Sequence, residues 1–146
     1  SRTEGPQTAR GSRPVPDRPI VLYDSDCGFC RWALARLLAW DRRRVIRPVA
    51  IGSAEGTRLL ADLAPQKRDA SWHFIDRDGS RTSAGAAAFP MLRHLPGGRL
   101  PARLLARFPA ATERLYGAIA RHRGALGALL TDGAVRRADA RIGGRS

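Results

Sequence analysis

Cys27 and Cys30 are the two cysteines of a 146-residue chain, separated by Gly28 and Phe29 in "YDSDCGFC". Thiols three positions apart meet only if the backbone turns between them. One helical turn does this, setting positions i and i+3 side by side on one face, within the reach of a disulfide. Such a pair can carry out thiol–disulfide exchange: one thiolate attacks, and the second thiol resolves the mixed disulfide. A helix start adds unpaired amides and about half a unit of positive charge, which favours thiolate over thiol. Cys27, nearer the helix end, is then the expected nucleophile, and Cys30, one turn in, the resolver. Asp24, Asp26 and Arg31 flank the pair as candidate supporting residues. Asp26 opposes a thiolate unless its carboxylate caps the helix, and Arg31 favours one only if its side chain does not point to water.

Two other chemistries fit parts of the same stretch. Zinc takes four ligands, so a half-site at Cys27 and Cys30 needs more from carboxylates or from His73, His94 and His122, which never form a close pair. The expectation is no metal and no bound cofactor. An apolar strand ending in Asp-x-Asp, as in "VLYDSD", resembles the opening of haloacid dehalogenase-like phosphatases, whose first aspartate attacks phosphate. In that alternative Asp24 and Asp26 need a hydroxyl, a lysine and a second acidic pair, parts for which Thr57, Lys67 and "DRD" (76–78) are available. The plainer reading ends a strand at Asp24 and caps a helix with Asp26.

The elements that must position these residues follow from apolar spacing. "IVLYD" (20–24), bounded by Pro19, has the length of a buried strand. From Phe29 to Trp40, Phe29, Ala33, Leu37 and Trp40, joined by Leu34 and Leu38, recur at helical spacing. "RVIRPVAI" (44–51) reads as a second strand, which Pro48 confines to a sheet edge because it lacks an amide donor. Ser53 can cap a helix over "SAEGTRLLADLA", with Pro65 after its end. "SWHFID" (71–76) is a third strand, "RDGS" a tight turn with Gly79 at positive φ, and "RTSAG" a return strand. Helices are expected from Ala84 to Leu95, again near Pro101, and from about Pro109 to Arg123 with Leu115, Ile119 and Tyr116 inward. The order strand, helix, strand, helix, hairpin, helices predicts an α/β fold, a thioredoxin-like βαβ–ββα core with the first strand central and additional C-terminal helices. Residues 1–18 are expected to be a disordered lead-in, 19–130 the domain, and 131–146 a mobile tail.

Composition narrows the function. A hydrophobic fraction of 43% is ordinary for a globular chain. No apolar run approaches the ~20 residues of a membrane span, and residues 1–18 lack the apolar core of an export signal. Two cysteines are too few for a secreted disulfide scaffold, which favours the cytoplasm. The net charge of +13 invites a basic binding module as a second alternative. Yet there is one lysine, the arginines run from Arg2 to Arg145, and the densest cluster, "DRRRVIR" (41–47), is short. No basic–aromatic interleaving marks a specific nucleic-acid face. The charge predicts salt-sensitive attraction to acidic partners.

"YDSDCGFC" resembles the signature of the DCC family of thiol-disulfide oxidoreductases, with the Asp-Cys-Cys letters at Asp26, Cys27 and Cys30. The likeness continues through "WDRR", through "HFIDRDGSRTSAGAAAFPMLRHLPGG", and through the Tyr-x-x-x-Ala-x-x-Arg helix in "FPAATERLYGAIARHRGALG". It implies a thioredoxin-like fold over about residues 19–130 and dithiol–disulfide exchange by Cys27 and Cys30. The implied partner is a disulfide- or dithiol-bearing protein or a small thiol. There are two departures from the pattern: Ser25 stands between the aspartates where glycine is common, and no proline precedes "SWHF", where thioredoxins place a cis-proline facing the thiols. Trp32, two residues past Cys30, is the tryptophan best placed to touch a partner.

Overall fold

The strands obey the period of two that an extended chain imposes. In β1 (Ile20–Tyr23), Val21 packs into one hydrophobic cluster while Ile20 and Leu22 pack into another. The computed structural model describes residues 16–145. Four strands form one sheet in the order β2-β1-β3-β4, with β2 (Arg47–Ala50), β3 (His73–Ile75) and β4 (Arg81–Ser83). β1 pairs in parallel with β2 and antiparallel with β3, and β3 pairs antiparallel with β4. β1 is therefore interior and Pro48 lies on an edge strand, as its missing donor requires. Asp76 to Ser80 closes the hairpin, with Gly79 at φ 81°. That left-handed conformation strains any residue with a Cβ.

Helices cover both faces. Val21 and Phe74 meet Leu34 and Leu38 of α1 (Gly28–Trp40) and Met91 of α4 (Ala88–Leu92). Ile20, Leu22, Val49 and Ile75 meet Leu60, at the end of α2 (Ala54–Leu59). Each such fully buried side chain contributes roughly 1.5–3 kcal/mol. Ser53 caps α2 as expected, accepting the Gly56 amide at 3.0 Å. α2 stops at Leu59, short of the expected end at Ala64, and Pro65 instead opens a separate short helix, α3 (Pro65–Ala70), where its fixed φ suits the first turn. The chain continues through a 3₁₀ turn (Ala84–Ala87), α4, α5 (Arg99–Arg107) and α6 (Pro109–Ala128). Tyr116 is half-buried, but Leu115, expected inward, is 59% exposed, and Ile119 is 38% exposed.

Two expectations about the ends need revision. Residues 1–15 of the expected lead-in lie outside the described residues, but Arg18 is fastened: its guanidinium donates to the Arg44 carbonyl at 2.7 Å. The stretch 131–146, expected to be a mobile tail, is helical over α7 (Asp132–Gly143) and packs along α1. Thr131 caps it through the Ala134 amide, and Ala138 and Ile142 are buried. Four residues apart on one helical face, those two apolar side chains supply the seam that a polar composition hides.

Candidate active site

α1 begins one residue later than the sequence suggests, and its cap is a thiol. Cys27 is the N-cap, with extended backbone (φ −99°, ψ 113°), and its Sγ accepts the Cys30 amide at 3.3 Å. No acidic residue stands in the first turn, so the helix-end charge acts on the thiol without a carboxylate competitor. Asp26, expected to cap the helix, does not: it is exposed, and its own amide donates to Asp24 Oδ1 at 2.9 Å. Asp24 therefore shapes the loop into an Asx turn that delivers Cys27 to the helix end.

Both cysteines are free thiols and half-buried. Burial, the hydrogen bond to Cys27 and the charge of Cys27 together push the Cys30 thiol up to about 12, with Arg123 pulling weakly the other way. Cys30 thus holds its proton at neutral pH. Arg31 does not serve the thiols as expected: its Nη1 binds both oxygens of Asp139 on α7, at 3.1 and 2.9 Å. Beside that ion pair, burial and the nearby Asp139 charge raise Tyr23, which stays a neutral phenol at physiological pH.

A cleft of about 200 Å³ opens on the Cys30 side, walled by Phe29, Ala33, Trp72, Tyr116 and Ile119 and bordered by Asp24 and Arg123. Sequence reasoning singled out Trp32; the structure stacks it on Phe29 at 6.0 Å with Arg36 over its ring, and Trp72 is the tryptophan in the cleft. Trp72 is locked three ways. Its amide donates to Tyr116 Oη at 3.2 Å, its indole donates to the Ala84 carbonyl at 2.9 Å, and its ring stacks on Tyr116. Burial raises Tyr116, which keeps its proton. No cis peptide occurs among the described residues, and Ser71 and Trp72 occupy the approach to β3. The signal for this wall lay in "Tyr-x-x-x-Ala-x-x-Arg": Tyr116, Ala120 and Arg123 fall at i, i+4 and i+7 on one face of α6, all bordering the cleft. Close approach of α6 depends on Gly85, where a Cβ would come within 3.0 Å of the Glu113 carboxyl that accepts the Ala86 amide.

The other candidate chemistries are not assembled. Asp76 follows β3, whose end pairs with the start of β1, so it lies at the opposite end of the sheet from Asp24. There Asp76 is buried and holds Arg93 and His94 at 2.9 and 3.0 Å, so the second acidic group of a phosphatase is not at the first. His73 is buried between Ser83 Oγ (2.6 Å) and the Arg68 carbonyl (3.0 Å), and burial lowers its pKa. The carbonyl requires Nε2–H to donate, leaving Nδ1 to accept from the serine hydroxyl. His122 is exposed on α6. Among the described residues no cluster of three histidine, cysteine or acidic side chains could hold a metal ion, and no helix is long and apolar enough to cross a membrane.

A four-stranded mixed sheet flanked by helices, with a dithiol where the first strand hands over to the first helix, defines a thioredoxin-like α/β protein. The model of the DCC1-like thiol-disulfide oxidoreductase family matches residues 21–128, most of the chain, and the protein belongs to that family. No curated protein and no solved structure matches it. The match ends before α7, which carries Asp139.

Proposed function

We propose that this protein exchanges two electrons with a disulfide-bearing substrate through Cys27 and Cys30. The observation that carries the reading is the Cys27 thiol itself capping α1, with the Cys30 amide donating to its sulfur. The same bond stabilises a Cys27 thiolate, the species that attacks. In the reducing direction, the Cys27 thiolate attacks one sulfur of the substrate disulfide and expels the other as a thiolate. Cys30 then loses its proton and attacks the Cys27 sulfur, releasing the second substrate thiolate. The protein dithiol becomes a disulfide, and the substrate disulfide becomes two thiols. Oxidation of a substrate dithiol runs the same steps backwards.

The order of events has a built-in control. Once Cys27 is tied up in the mixed disulfide, its charge and its hydrogen bond no longer hold the Cys30 proton, and burial and the Asp24 charge remain against the opposing pull of Arg123. The resolving thiol thus becomes easier to ionise only after attack has occurred. The cytoplasm is the setting this reading assigns, from the low cysteine count. Cys27→Ser is expected to abolish reduction of insulin disulfides, and Cys30→Ser to accumulate a covalent adduct through Cys27. Undiminished turnover by the double serine variant would sink the assignment.

A further inference from the structure

The cleft beside Cys30 has two features that the exchange chemistry does not need. Its wall is aromatic and aliphatic, from Phe29, Trp72, Tyr116 and Ile119, and it is rigid because Trp72 is held at its amide, its indole nitrogen and its ring. On its border stands Arg123, which makes no hydrogen bond or ion pair among the described residues, whereas the other charged lining group, Asp24, is engaged with the Asp26 amide. Unpaired guanidinium groups on a +13 protein attract anions.

Size decides what enters. About 200 Å³ is less than the ~300–1,000 Å³ of sites that enclose a whole small molecule. It suits one large side chain whose parent chain remains outside. Resting on the exchange reading, we propose that the cleft is a specificity pocket for a polypeptide disulfide: it takes a bulky apolar residue next to the reacting cysteine, while Arg123 pairs with an acidic residue beside it. Seating that side chain against Cys30 sets the substrate sulfur over the neighbouring Cys27, so the pocket selects by position as well as by affinity.

The test uses four disulfide-linked peptide dimers, each with a cysteine flanked by Glu or Lys on one side and by Phe or Ala on the other. Pre-reduced protein supplies both electrons in a single turnover, and the second-order rate of peptide reduction is read. The Glu/Phe peptide should react roughly tenfold or more faster than Glu/Ala, the ratio expected for burying a ring. It should also react severalfold faster than Lys/Phe, a preference that shrinks at high salt. Arg123→Glu should reverse the charge preference while keeping the Phe/Ala ratio. Equal rates for all four peptides overturn the pocket and leave the exchange reading standing. Binding is read separately, from the Trp72 indole N–H resonance with S-methylated Glu/Phe peptide. A shift without reduction of any peptide overturns the exchange reading and supports the pocket; no shift overturns the pocket.

Discussion

The two ends of α1 are built on opposite plans. At the C-terminal end Asp41 is completely buried, and every contact it makes is a closed one: it accepts the amides of Val45 and Ile46 at 3.1 and 2.9 Å and Arg145 Nη1 at 3.0 Å. Arg145 also donates to the carbonyls of Leu38 and Asp41, so acceptors at the helix end are satisfied from the turn that follows α7. At the N-terminal end the cap is a half-exposed thiol that bonds one amide at 3.3 Å, next to an open cleft. Charge at the saturated end holds structure in place. Charge at the open end can change hands.

The largest effect should come from breaking the closed end. Asp41→Ala strips the part-buried Arg145 guanidinium of its fully buried counter-charge and leaves two amides unpaired, a loss of roughly 3 kcal/mol. Urea melts should show it, while the rate of disulfide exchange per folded molecule holds. A loss under ~1 kcal/mol would mean that α7 does not clamp α1.

A chemical change at the open end should sharpen the contrast. Burial raises Cys30 above its ordinary 9.0, and ionisation makes it a nucleophile. Resolution of the mixed disulfide should therefore quicken about tenfold per pH unit between ~pH 7 and ~pH 9, because only the rare thiolate reacts. A rate flat across that window would show a resolver already ionised, contrary to the burial argument.

The smallest effect belongs to Arg31. Its pair with Asp139 is partly exposed, with side chains 28% and 45% accessible. Arg31→Ala should cost ~1 kcal/mol or less and change the Cys27 alkylation rate by under about threefold. A tenfold slower rate would restore it as an electrostatic supporter of the thiolate.

These contrasts also mark what the sequence made legible. The β1–α1 junction was readable because strand and helix periods change across five residues, and the thiols sit at the change. The identity of the cap was not: Asp26 has the better intrinsic propensity, but the Asp24 side chain takes its amide and the turn hands the cap to Cys27. Arg31 pointed nowhere in particular until a carboxylate 108 residues away claimed it. α3 escaped because "PQKRDA" buries no side chain, and α7 because only Ala138 and Ile142 are buried. The cleft needed tertiary placement: Trp72 and Tyr116 are 44 residues apart and meet only when α6 crosses the approach to β3.

Competitive alkylation tests the central asymmetry most directly. Reduced protein is treated with substoichiometric iodoacetamide at neutral pH, and the label on each cysteine is counted by peptide mass spectrometry. The thiol-capped helix end predicts Cys27 modified at least ~tenfold faster than Cys30, whose proton is held by burial and by Cys27 itself. Equal labelling, or Cys30 first, would contradict the account.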